Sequence, residues 1–183
     1  IFLTCDAYGV LPPVSRLTPD QAMYHFISGY TAKVAGTERG ITEPKATFSP
    51  CFGGPFLTLH PLCYAKLLKE KIEEHQSKVY IVNTGWIGGS ATSGAKRISI
   101  QNTRTMITAI LNGSIEHSAF EVEPVFGLDC PQNLEGVNSA ILNPRQSWGS
   151  PDAYDKQAND LADLFINNFS SYGNEVSYLK QAG

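Results

Sequence analysis

Val79-Tyr80-Ile81-Val82, entered from the segment Pro61 to about His75, is the stretch that decides the fold class. Four consecutive apolar residues leave no side for water, so the run reads as a strand covered on both faces. In the segment before it, Tyr64, Ala65, Leu68 and Ile72 share one face while Lys66, Lys69, Glu70, Glu73 and Glu74 face the other way. That is the pattern of an amphipathic helix lying on a core. A helix feeding directly into a buried strand places the chain in the α/β class.

Working outward, Ile1-Phe2-Leu3-Thr4-Cys5 is a second apolar run of the interior-strand type, with no methionine or polar lead-in. Such a strand needs neighbours on both sides, so the chain is expected to be cut from a larger fold and to carry an exposed edge here. Asp6-Ala7-Tyr8-Gly9 ends the strand, and Val10 to Arg16 is expected as an extended loop because Pro12 and Pro13 cannot sit in a helix interior. Thr18, Pro19 and Gln21 then form a capping box, followed by a stripe of Ala22, Met23, Phe26, Ile27 and Tyr30. From Val34 to Pro50 no amphipathic pattern persists, and Gly36, Gly40 and Pro44 mark a loop long enough to carry function. Past the buried strand, Asn83-Thr84-Gly85-Trp86 closes it and the glycine-rich loop 88–94 follows. A short helix is expected from Thr103 to Asn112, a strand from Phe120 to Phe126, and a long helix capped by Ser150 and Pro151 and stopped near Gly173.

With 183 residues, 42% hydrophobic and 17% charged, the chain can bury one sizeable core, and a formal charge of -3 excludes a broad basic field for nucleic acid or an anionic membrane. No apolar run approaches a membrane span and no signal peptide is visible, so a cytoplasmic protein is expected. Cys5, Cys51, Cys63 and Cys130 form no C-x-x-C pair and are expected as reduced thiols, Cys51 as a packed one. His25, His60, His75 and His117 have no metal-ligand spacing.

Gly89-x-x-x-x-Gly94 resembles a phosphate-binding loop but fails on its chemistry. Lysine should follow the second glycine directly, then a hydroxyl residue, with a helix starting there. Here Ala95 is inserted, Arg97 stands at the hydroxyl position and the helix begins about six residues later. Lys96-Arg97-Ile98 carries a different possibility: a guanidinium that stacks on a base or pairs with phosphate, beside an apolar wall. The alternative is a surface arginine next to a core isoleucine. Thr103 reads either as a ligand contact or as a plain cap. Arg16, Arg39, Glu38 and Glu43 are further contact candidates, set against solvated loop charge, and Asp6 is either an acid/base group or a hydrogen-bonded structural aspartate.

Several segments together resemble ATP-dependent phosphoenolpyruvate carboxykinases: Ile1-Phe2-Leu3-Thr4, the run Gly9 to Thr18, Thr37-Glu38-Arg39-Gly40-Ile41-Thr42-Glu43-Pro44, Asn83-Thr84-Gly85-Trp86 and Lys96-Arg97-Ile98-Ser99-Ile100. The similarity runs in order from residue 1 to about 172. It implies that residues 1–183 are the C-terminal portion of the catalytic domain, in a nucleotide-binding α/β fold with a mixed sheet and flanking helices. It also implies that oxaloacetate, ATP and Mn2+ or Mg2+ are used to make phosphoenolpyruvate, carbon dioxide and ADP in gluconeogenesis. Arg97, Ile98 and Thr103 match the family's contacts to the base end of the nucleotide. Thr37, Glu38, Arg39 and Gly40 match its active-site lid, within 34–50. The family's phosphate loop, metal ligands and main substrate arginines lie upstream of the matched segment, so the resemblance assigns no catalytic residue or metal ligand to this chain. It implies a missing N-terminal part as partner and no turnover by the chain alone. The loop Ile87 to Ala95 is longer than in some members. The alternative reading is a non-catalytic nucleotide-binding or interaction fragment.

Overall fold

The apolar run at 79–83 lies inside a five-stranded mixed sheet, as its composition demands. The computed structural model describes residues 1–34, 40 and 43–183. In chain order the strands and helices are β1 (Phe2–Thr4), β2 (Val14–Leu17), α1 (Pro19–Ser28), β3 (Tyr30–Lys33), β4 (Lys45–Phe48), α2 (Pro61–His75), β5 (Val79–Asn83), β6 (Trp86–Ile87), β7 (Lys96–Arg97), α3 (Ile100–Leu111), β8 (Phe120–Val122), β9 (Asp129–Pro131), α4 (Ser139–Leu142), α5 (Pro144–Ser147) and α6 (Pro151–Ser170). The main sheet has the order β1-β5-β2-β9-β8, with β1 parallel to β5 and the other pairs antiparallel. Small hairpins β3-β4 and β6-β7 stand beside it.

All of β5 is buried because its alternate residues enter two different cores. Val79 and Ile81 join Met23, Ile27, Leu161 and Phe165 from α1 and α6, while Tyr80 and Val82 join Val14, Ile98 and Met106 on the opposite face. Helices on both faces of the sheet follow from that alternation. The α1 capping box forms as its sequence predicts, with Gln21 N–H on Thr18 Oγ1 at 3.2 Å and Thr18 N–H on Gln21 Oε1 at 2.9 Å. Among the described residues no helix is long and apolar enough to cross a membrane, and the four cysteines are free.

Several expectations are corrected. Tyr30 keeps the helical spacing of α1 but opens β3, because Gly29 adopts a left-handed conformation (φ 53) and ends the helix. Residues 14–17 are not loop: once past the two prolines they pair with β5 and become the middle strand. The stretch 34–50 includes β4, which pairs with β3 from Tyr30↔Phe48 to Lys33↔Lys45. Helix α3 begins at Ile100, capped by the Ser99 side chain, so Thr103 is neither its first residue nor its cap. The strand at 120 stops at Val122, and β9, α4 and α5 lie in stretches given no element by sequence.

One buried group has a consequence for stability. His25 is 3% exposed, its Nε2 has no partner among the described residues, and ring edges of Tyr24 and Phe165 flank it at 5.5 and 5.8 Å. Burial pushes its imidazole down to about 4. Below pH 6.5 the unfolded chain protonates this ring while the folded chain does not, so the stability tied to it is complete above pH 6.5 and is lost as pH falls toward 4. Urea unfolding at pH 7 and pH 4.5 should show His25→Phe losing about 2.5 kcal/mol less than the parent chain across that interval.

Candidate nucleotide site at the entry to α3

Because β1 and β5 are parallel neighbours, the loops leaving their carboxyl ends meet on one edge of the sheet, where α/β folds take ligands. Asn83, the last residue of β5, joins the two loops. Its Oδ1 accepts from Asp6 N–H at 3.0 Å and Gly85 N–H at 2.8 Å, and its Nδ2 donates to the Leu11 carbonyl at 3.0 Å. Thr84 N–H reaches the Thr4 carbonyl, Trp86 N–H the Asp6 carbonyl and Ala91 N–H the Ala7 carbonyl. Gly9 (φ 73) and Gly85 allow this approach: a Cβ on the first would collide with the Gly89 carbonyl and on the second with the Asp6 backbone.

Asp6 is fully buried and settles as the structural aspartate. Its Oδ1 accepts from Tyr8 N–H (2.9 Å) and Tyr30 O–H (2.8 Å), and its Oδ2 accepts from Val10 N–H (2.7 Å) and Leu11 N–H (2.9 Å). Desolvation pushes its pKa up and these four donors pull it back.

Arg97 stands on the β6-β7 hairpin opposite Trp86. Its Cζ lies 5.2 Å from the Trp86 ring centroid, its Nε donates to the Thr84 carbonyl at 2.9 Å, and its Nη2 lies 3.5 Å from Cys5 Sγ. These contacts fix the plane of the guanidinium without neutralising it. Among the described residues no carboxylate is in ion-pair range of it, whereas Arg16 is bound to Asp129 (2.6 Å) and Glu116 (3.2 Å) and Arg145 to Asp155 (2.7 Å). Arg16 is thereby removed as a loop contact: it lies in β2 with its Cζ 4.1 Å from the Phe120 centroid.

Ile98 follows directly, but its side chain is 7% exposed and packs in the core with Val82 and Met106, so any wall it offers is narrow. Thr103 is half-buried in the first turn of α3, its N–H on the Ser99 carbonyl at 3.0 Å. The three residues thus share the entry to one helix. The loop 88–94 forms a 3-10 turn at Ala91–Ser93 and then β7, so it lacks the strand-loop-helix form of a phosphate cradle, as its residues indicate.

Thr37, Glu38 and Arg39 lie outside the described residues; Gly40 is exposed, with φ 81. The strands flanking that stretch are informative, since Ala32 of β3 and the following Val34 cluster with Cys5, Ala7 and Trp86. Cys5, Thr84 and Trp86 are given no role by the sequence reading, and the signal for them is the parallel pairing that sets residue 4 beside residue 83. Cys51 is a half-buried thiol whose pKa burial pushes up to about 11, with Sγ 3.7 Å from the Pro61 carbonyl.

A family model described as phosphoenolpyruvate carboxykinase matches residues 1–140. The chain belongs to the phosphoenolpyruvate carboxykinase family. It is 55% identical over 183 residues to the phosphoenolpyruvate carboxykinase (ATP) of Caldanaerobacter subterraneus subsp. tengcongensis, covering 100% of this chain and 35% of that protein. It is 60% identical over 172 residues to the one from Campylobacter jejuni (strain RM1221) and 58% over 172 residues to the one from Leptospira biflexa, covering 94% of this chain and 33% and 32% of those proteins. The chain therefore spans about a third of the length of these carboxykinases.

Replacing Asp6 with alanine strands the buried N–H groups of Val10 and Leu11, the part-buried N–H of Tyr8 and the buried Tyr30 hydroxyl. Asp6→Ala should cost at least about 3 kcal/mol in urea unfolding. Asp20→Ala, which removes a half-exposed pair with Lys69 and an acidic side chain from the first turn of α1, should cost only about 1 kcal/mol.

Proposed function

We propose that this chain supplies the base-end nucleotide contacts and the lid of an ATP-dependent phosphoenolpyruvate carboxykinase. The observation that carries the reading is the Arg97 guanidinium, held by Trp86, the Thr84 carbonyl and Cys5 with no carboxylate in ion-pair range among the described residues. One face of the ion is on Trp86, leaving the other for a planar base or an edge for a phosphate oxygen. Thr103 brings a hydroxyl one turn into α3, and Ile98 contributes the small part of its side chain that is not core. In this reading residues 1–183 are the C-terminal portion of the catalytic domain of a cytoplasmic enzyme, and 34–50 its lid.

The whole reaction breaks the C–C bond that releases carbon dioxide from oxaloacetate. The electron pair is left on an enolate, whose oxygen attacks the terminal phosphoryl group of ATP and expels ADP. Divalent metal would neutralise phosphate charge in that reaction. In this reading the metal's ligands lie upstream of the matched segment, as the resemblance implies, and its role is assigned to no residue of this chain. This chain's part is to bind and orient the nucleotide, which also suits the non-catalytic nucleotide-binding reading.

Calorimetric titration with ATP should show Arg97→Ala binding about tenfold more weakly or worse, and Arg97→Lys in between because it keeps the charge and loses the planar fork. Equal affinities in the parent and Arg97→Ala chains would remove Arg97 from the site. Incubated with oxaloacetate, ATP and manganese, the chain alone should form no phosphoenolpyruvate; robust turnover would show that the chemistry resides within these residues.

A further inference from the structure

A cavity of about 200 Å³ lies between the β8-β9 edge of the sheet and the α4-α5 pair, lined by none of the nucleotide-site residues. Two carboxylates and one guanidinium line it. Glu121 and Glu123 both line it, two residues apart on a chain that stays extended, since Glu123 N–H continues the pairing by bonding the Leu128 carbonyl. Glu123 is 8% exposed, and its oxygens accept only from neutral donors: Val125 N–H at 3.1 Å and Phe126 N–H at 2.6 Å. The Tyr154 hydroxyl lies 3.4 Å from Glu123 Oε1 and 3.1 Å from the Val10 carbonyl, one proton between two acceptors. No cation is in ion-pair range of either glutamate among the described residues. Arg145 also lines the cavity, but its Nε and Nη2 are both bound to Asp155, at 2.7 and 2.8 Å.

A carboxylate withdrawn from water without a cation is costly, and burial accordingly pushes Glu123 up. The remaining walls include Val122, Leu142 and Pro144, which would accept hydrocarbon. The volume exceeds the roughly 150 Å³ of a cavity that holds benzene. We propose that this cavity is a binding site for a small organic cation, an amine or amidine carried on an apolar body of about one ring, with Glu123 and Glu121 facing the charge.

Benzylamine is the probe, with benzyl alcohol as neutral isostere and ammonium chloride as the cation without a body, each titrated into the full chain and followed by calorimetry or amide chemical shifts. Benzylamine should bind saturably at one site, at least about tenfold more tightly than either control, and Glu123→Gln should weaken it by about tenfold. Glu121 is exposed, so Glu121→Lys keeps the test open if the buried variant fails to fold, and it should abolish binding by placing a cation at the mouth. Benzylamine binding no better than benzyl alcohol, or unchanged in folded Glu123→Gln or in Glu121→Lys, overturns the proposal. Ammonium binding as tightly as benzylamine overturns the ring-sized body. None of these readouts depends on ATP or on turnover.

Discussion

The Asp6 carboxylate sits where no water reaches, and four parts of the chain are tied to the residue that carries it. Its side chain takes hydrogen bonds from the 8–11 loop and from Tyr30 at the start of β3, while its backbone bonds Asn83 at the end of β5 and Trp86 in β6. Desolvating a carboxylate costs several kcal/mol, and four charge-assisted bonds offset this at about 1.5–3 kcal/mol each. The net contribution to stability is therefore smaller than the number of contacts implies, and the chief product is geometry. A loop with two adjacent prolines is held against the ends of two parallel strands. The glycine-rich stretch after Trp86 can then lie across it, and Arg97 inherits its position from Trp86.

Long, strongly patterned elements were legible in the sequence, and short ones that depend on distant partners were not. The capping box at Thr18, the stripe of α2, the buried run of β5 and the Ser150 cap of α6 are local signals, and each reappears in the structure. Strands β4, β6, β7 and β9 have two to four residues, too few for a period of two to declare itself. The start of α3 was misplaced because Ser99 and Thr103 are both competent caps. Ile98 enters the core just before Ser99, and that fixes the chain's direction there, a tertiary fact with no local mark.

The candidate site divides along the same line. Arg97 is a candidate from the residues alone, but only the resemblance favours it, since one arginine after a glycine loop has several bland explanations. Its platform was hidden because Cys5 and Thr84 meet through a parallel pairing between segments nearly eighty residues apart, and no periodicity names a strand's neighbour. For Ile98 the two readings, core residue and ligand wall, were both available beforehand. Burial favours the core for most of the side chain.

What separates Arg97 from Arg16 among the described residues is charge compensation. Arg16 and Arg97 both contact an aromatic ring and both reach water. Arg16, however, is held by Asp129 and Glu116, with Lys78 and the Tyr80 hydroxyl also on Glu116, so an incoming anion would have to displace a carboxylate already in place. Arg97 is held by a carbonyl and a sulfur, which orient it and leave its charge uncancelled. The same contrast separates two glutamates: Glu116 is surrounded by cations, while Glu123 is buried among neutral donors. In each pair the fold completes the electrostatics of one member and leaves those of the other open. An open charge held rigidly is disfavoured until a ligand of opposite charge arrives, and that is the ground on which Arg97 and Glu123 are proposed as ligand contacts.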